Sequence, residues 1–144
     1  MGTALITGAS SGLGLEMARL FARDGHSLIL TARRRALLEK TAKELSEAGS
    51  GIRVEVLDID LGVPDAGSVL FSKVQKLGLR VDFLVNNAGF GSNGEFAQLP
   101  LAKELQMIDL NVRALVELTR LFLPQMIERG EGRVLNVGSM AGFQ

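Results

Sequence analysis

Short apolar runs and amphipathic stretches alternate along the whole chain. Thr3-Ala4-Leu5-Ile6-Thr7 is almost wholly apolar and ends in glycine, which suits a strand covered on both faces. Over residues 13–23, Leu15, Ala18, Phe21 and Ala22 recur at helical spacing, and Asp24-Gly25 closes the helix. Leu28-Ile29-Leu30 predicts a second buried strand, and residues 36–48 a second helix stopped by Gly49. Residues 52–57 alternate apolar with charged positions, as a strand near a sheet edge does. A third helix follows over 64–77 with Pro64 in its first turn, then a fourth strand over 81–85. A long helix over 101–128 and a fifth strand over 133–137 complete the pattern, with Pro124 expected to kink or end that helix. Strand and helix in strict alternation demand an α/β fold, a doubly wound parallel sheet with helices on both faces. No linker, repeat or charge run divides the chain, so residues 1–144 read as one domain.

Composition narrows the function. Sixteen Lys plus Arg balance sixteen Asp plus Glu, which argues against a nucleic-acid or membrane-surface protein. Without cysteine there is no disulfide scaffold, thiolate metal site or Cys nucleophile, and a single histidine builds no metal site. No run approaches the ~18 apolar residues of a membrane span, and no basic segment marks a secretory signal. These features fit a cytoplasmic protein.

The seventeen glycines stand singly at the ends of apolar runs, and the first cluster carries chemistry. Thr7-Gly8-Ala9-Ser10-Ser11-Gly12-Leu13-Gly14 joins the first strand to the first helix. Gly8 allows a tight turn, and Gly12 lets the backbone approach a pyrophosphate. The helix beginning near Leu13 presents free N–H groups and a positive dipole end, and Ser10 and Ser11 add hydroxyls. The same letters would also serve an ordinary strand–helix turn. The spacing is neither G-x-G-x-x-G nor a Walker loop. A methyltransferase would be expected to carry an acid after the second strand, where this chain has Thr31-Ala32-Arg33.

Four motifs in order then carry a resemblance: T-G-A-S-S-G-L-G, Asn86-Asn87-Ala88-Gly89, Asn111, and Asn136-Val137-Gly138-Ser139-Met140-Ala141-Gly142. Together they resemble the short-chain dehydrogenase/reductase family, over the whole chain. The resemblance implies a Rossmann-like sheet of order 3-2-1-4-5, here without the family's last strands. It also implies hydride transfer between a nicotinamide and a carbonyl or secondary alcohol, in a homodimer or homotetramer.

In that family the residue closing the second strand selects the coenzyme. Ala32 followed by Arg33-Arg34-Arg35 suits a 2′-phosphate, so NADP(H) is expected over NAD, with Arg33 and then Arg34 as its ligands. A solvated basic start to the second helix is the plainer alternative. Asp58 and Ile59 resemble the family's adenine contact, although Asp58 also reads as a strand-end turn residue. Asn87, Ala88 and Gly89 are implied along the adenosine ribose, while Asn86 is expected to tie neighbouring strands together.

At the reacting end Asn111 matches the family's helix Asn, whose kinked backbone holds a relay water. Asn inside an apolar helix is in any case a poor helix former. Ser139 matches the serine that hydrogen-bonds the substrate oxygen; without the resemblance it would be a turn serine. The family's proton donor is a Tyr beyond this Ser, followed a helical turn later by a Lys. The chain has no Tyr, and its lysines all fall in helices remote in pattern from Ser139. The chain is therefore expected to be the N-terminal part of a reductase, inactive alone, or else a dinucleotide-binding module without catalysis.

Three smaller expectations complete the reading. His26 is expected to be an exposed turn residue. The loop from Phe90 to Phe96 is expected to line the substrate mouth. In the long helix Leu101, Leu105, Ile108, Val112, Leu115 and Phe122 form one stripe, with a second through Met107, Leu110, Ala114, Leu118 and Leu121. Two stripes imply a second partner, either a subunit mate or a further segment of the same protein.

Overall fold

A computed structural model describes residues 1–47 and 51–143. Five strands form one parallel sheet: β1 (Thr3–Thr7), β2 (Ser27–Ala32), β3 (Val54–Asp58), β4 (Phe83–Asn86) and β5 (Arg133–Asn136). Their order is β3-β2-β1-β4-β5, so the chain doubles back beside β1 and opens a crevice at the strand tips. Helices α1 (Gly12–Arg23), α2 (Arg35–Glu47), α3 (Ala66–Lys76), α4 (Leu101–Ile108) and α5 (Leu115–Arg129) connect the strands. The end expected for the second helix, position 48 and Gly49, lies outside the described residues.

Side-chain alternation along the strands builds two cores. Leu5, Ile29 and Leu84 point to the face covered by α3 and α5, where Leu70, Val74, Leu118 and Phe122 close over them. Ala4, Ile6, Leu28, Leu30 and Val85 point to the other face, against Ala18 of α1 and Leu38 of α2. Two-sided burial explains why β1 and β2 read as unbroken apolar runs. At one edge β3 is half-buried throughout. β5 pairs only with β4 among the described residues and leaves Leu135 48% exposed.

Three elements differ from the sequence expectation. Pro64 precedes α3 rather than entering it, because Asp65 takes a left-handed conformation (φ 62°) just before the helix. Pro124 does not end the long helix, which runs on to Arg129 with Gly130 (φ 68°) as its cap. Pro124 and Arg120 are both exposed, so water can satisfy the carbonyl that loses its donor. The predicted helix over 101–128 is interrupted by a π-helical turn, Asp109–Ala114. The extra residue rotates everything beyond it, so the two apolar stripes are re-sorted. Ala114, Leu118, Phe122 and Met126 are buried, whereas Leu101, Leu105, Ile108, Val112 and Val116 lie exposed in a row.

Candidate functional site

The crevice at the strand tips is an open cleft of about 1020 Å³. The tips of β1, β2, β4 and β5 and the segment after β3 line it, with the π turn on one flank. Twelve of the fourteen expected site residues meet there: Gly8, Ser10, Ser11, Leu13, Arg33, Arg34, Ile59, Asn87, Ala88, Gly89, Asn111 and Ser139. Gly12 and Asp58 do not line it.

The glycine loop is shaped by close approaches. Gly8 takes φ +66°, and a Cβ there would lie 2.9 Å from Asn87 Nδ2. Gly14, which the sequence reading left without a role, is the tightest position: a Cβ would stand 2.3 Å from the Gly8 carbonyl oxygen. That contact lets α1 begin directly above the tip of β1. Ser11 is the N-cap but makes no side-chain capping bond. The first amides of α1 therefore lack the usual cap, and Ser11 to Leu13 are exposed beside the cleft. Gly12 serves the turn through its left-handed backbone (φ +56°), with no atom within 4 Å of a Cβ position. Such an N-terminus is a ready anion site, so the residues present fit a diphosphate.

Asn87, besides lining the cleft, also does structural work. Its Nδ2 donates to the Thr7 carbonyl at 2.9 Å, which ties the glycine loop to the end of β4. Thr7 completes the lock: its Oγ1 accepts from the amides of Asn87 and Ala88, both at 2.9 Å. Thr7 closes a buried run and looked like strand; only the pairing of β1 with β4 reveals its role. Asn86 ties strands together as expected, donating to Asn136 Oδ1 at 2.9 Å and to Thr119 Oγ1 at 3.1 Å.

Around the β2 tip, Arg33 and Arg34 are exposed, and neither has an ion-pair partner among the described residues. Arg35 is different. It binds Glu39 Oε1 at 2.7 Å and Asp58 Oδ1 at 3.0 Å. Glu39 first, and Asp58 after it, push its already high pKa further up. The Asp58 carboxylate is engaged by Arg35 and does not line the cleft, whereas Ile59 beside it does. The acid that lines the cleft is Asp60, two residues on, whose Oδ1 accepts from the Gly62 amide at 2.9 Å. Asp58 is the last residue of β3 and Asp60 lies beyond it, where strand alternation no longer sets the side, so sequence alone did not say which acid faced the cleft.

Asn111 lies in the π turn. Its Oδ1 accepts from the Phe90 amide at 3.1 Å and its Nδ2 donates to the Phe90 carbonyl at 2.8 Å. One side chain thus clamps both backbone groups of the segment after β4. Ser139 follows β5 and caps a short turn, its Oγ accepting from the Ala141 amide at 3.1 Å. That bond uses an acceptor lone pair and leaves the hydroxyl proton free. Phe90, Gly91 and Ser92 line the cleft, but Phe96 does not and is 78% exposed.

Outside the cleft, His26 is half-buried rather than exposed. Its ring packs edge-on to Phe21 and Phe83, with centroids 5.6 and 4.8 Å away, and its Nδ1 accepts from the Gly2 amide. Among the described residues no cluster of three or more metal-ligating side chains occurs. None of their helices is long and apolar enough to cross a membrane.

Comparison with known proteins agrees with this architecture. The short chain dehydrogenase family profile matches residues 2–144. The chain is 37% identical over 140 residues to the ketoacyl reductase HetN of Nostoc sp., covering 97% of this chain and 48% of that protein. It is 42% identical over 140 residues to sulfoacetaldehyde reductase 2 of Chromohalobacter salexigens, covering 96% and 54%. A short-chain dehydrogenase from Sphingobium yanoikuyae in complex with NADPH superposes with a TM-score of 0.92 at 38% identity, over 99% of this chain and 56% of that one. L-Sorbose reductase from Gluconobacter frateurii, complexed with NADPH and L-sorbose, superposes with a TM-score of 0.89 at 35% identity, over 96% and 52%. The chain thus spans about half the length of the curated relatives it matches. A sheet of order 3-2-1-4-5, a glycine loop locked to Asn87 and a profile match across the chain place this protein in the short-chain dehydrogenase/reductase family.

Proposed function

We propose that residues 1–144 form the coenzyme-binding unit of an NADP-dependent oxidoreductase acting on a small-molecule carbonyl or secondary alcohol. The observation that carries this reading is the uncapped start of α1 opening on the same cleft as the unpaired Arg33 and Arg34. One end offers amides to a diphosphate, and the other offers guanidiniums to a 2′-phosphate. Ile59 and Asp60 border the adenine region between them, and Ala88 and Gly89 the ribose. When bound, the nicotinamide supplies or accepts the hydride. Ser139 directs its free hydroxyl proton at the substrate oxygen and stabilises the charge that develops there. Asn111 acts by holding the Phe90 segment against the π turn, which fixes the wall of the reacting end. NADPH in the Sphingobium and Gluconobacter structures supports the coenzyme assignment.

A second reading, a dinucleotide-binding module without catalysis, is favoured by one observation: among the described residues no Tyr or Lys lines the cleft. In the first reading the proton donor belongs to residues beyond these. The exposed row from Leu101 to Val116 fits a partner surface in either case, within a homo-oligomer or against further chain.

Calorimetric titration tests the coenzyme assignment. The chain is expected to bind NADPH at least about tenfold more tightly than NADH, since a charge-assisted guanidinium–phosphate contact contributes about 1.5–3 kcal/mol. Arg33→Asp should reverse that order. Unchanged preference in Arg33→Asp contradicts the role of Arg33, and no binding of either dinucleotide contradicts the proposal.

A further inference from the structure

Helix α3 starts without a cap of its own. Asp65 precedes it in a left-handed conformation, and the Asp65 side chain makes no capping bond. The acceptor comes from another helix. Glu117, in the first turn of α5, accepts through Oε1 from the Ser68 amide at 3.0 Å and from the Ser68 hydroxyl. A carboxylate set against the amides that open a helix also meets the positive end of its dipole. Gly67 makes room for it: a Cβ there would stand 2.7 Å from Glu117 Oε2 and 2.8 Å from Cδ. Gly67 does not take a left-handed φ, so the backbone itself has no need of glycine here. Glycine weakens a helix, and at this position it leaves the space that the carboxylate fills.

Glu117 follows closely on the π turn that carries Asn111. Farther along α5, Thr119 Oγ1 accepts from Asn86 Nδ2 at 3.1 Å. The start of α5 is thus fastened to α3 by Glu117 and to the tip of β4 by Thr119. On the other flank of the π turn, α4 buries Glu104 alone of its residues and gives little support. A π turn is a rare geometry, and it keeps its shape where its flanks are held. We infer that Glu117 is a positioning residue: by reaching across to the start of α3 it fixes the α5 side of the π turn, and so sets Asn111 against the Phe90 backbone. Its bearing on the reaction rests on the proposed part of Asn111 in shaping the reacting end; the contact between the helices does not.

Amide hydrogen exchange at Phe90, whose N–H donates to Asn111 Oδ1, reads this coupling in the 144-residue chain without coenzyme. Glu117→Ala is expected to speed exchange at Phe90 about tenfold, through local opening. Glu117→Gln keeps an acceptor oxygen for Ser68 and should restore most of the protection. In an Asn111→Ala background, Glu117→Ala should add nothing further at Phe90. Leu45→Ala weakens the core on the other face of the sheet and should leave local exchange at Phe90 unchanged. Gly67→Ala displaces the carboxylate while leaving Glu117 in the chain, and should also speed exchange at Phe90. It should raise the urea midpoint more in the Glu117→Ala background than in the unaltered chain, since alanine is the better helix former once the space is free. Unchanged protection at Phe90 in both Glu117→Ala and Gly67→Ala, or an equal loss in Leu45→Ala, overturns the inference. Failure of the unaltered chain to bind NADPH overturns the proposed function instead, and leaves the coupling between Glu117 and Phe90 to be read as before.

Discussion

Single residues decide the geometry of the cleft, and the decisive ones are small. Gly14 carries no chemistry, yet a Cβ there would stand 2.3 Å from a backbone oxygen that cannot yield cheaply. Gly14→Ala is expected to destabilise the chain by about 2–3 kcal/mol through overpacking, visible in urea unfolding, and to abolish coenzyme binding. Gly12→Ala meets no neighbour and should cost only about 1 kcal/mol, for its left-handed φ. Similar losses for the two would contradict this account of the loop. At this scale the sequence named most of the cleft because its motifs are local: a glycine turn, a strand-end asparagine, a basic run. It passed over Asp60, which lines the cleft while Asp58 is engaged by Arg35, a partner that sequence alone does not reveal. His26 was misjudged for a similar reason. Its partners Phe21, Phe83 and Gly2 come from other elements.

The telling element is the π turn between α4 and α5. Periodicity alone made 101–128 one helix, because a single inserted residue barely alters an apolar pattern. The structure shows the cost of that simplification: Phe122, placed by spacing in line with Leu101, is buried, and Leu101 is exposed. The insertion also brings Asn111 to the Phe90 backbone. Because Asn111 is exposed, Asn111→Ala should lower stability by about 1 kcal/mol. It should greatly speed hydrogen exchange at the Phe90 amide. Unchanged protection at Phe90 would show that the clamp does not hold the segment. β-Strand order, by contrast, was legible from strand–helix alternation joined to the family resemblance, and buried strands such as β1 and β2 were legible from composition alone.

The whole molecule is a sheet with one finished end and two unfinished surfaces. Its strand tips converge on the cleft, while the open side of β5 and the row from Leu101 to Val116 leave apolar area uncovered. The two stripes of the long helix implied a partner surface, but spacing did not say which residues would form it, since core and surface are written in the same residues. The claim on which the functional reading depends is that the amides opening α1 hold a diphosphate. Backbone amide resonances recorded while NADPH is added test it most directly. The largest shifts are expected at Ser11, Gly12 and Leu13, with a second group at Arg33 and Arg34. Saturable NADPH binding that leaves the Ser11–Leu13 amides unmoved would contradict the account.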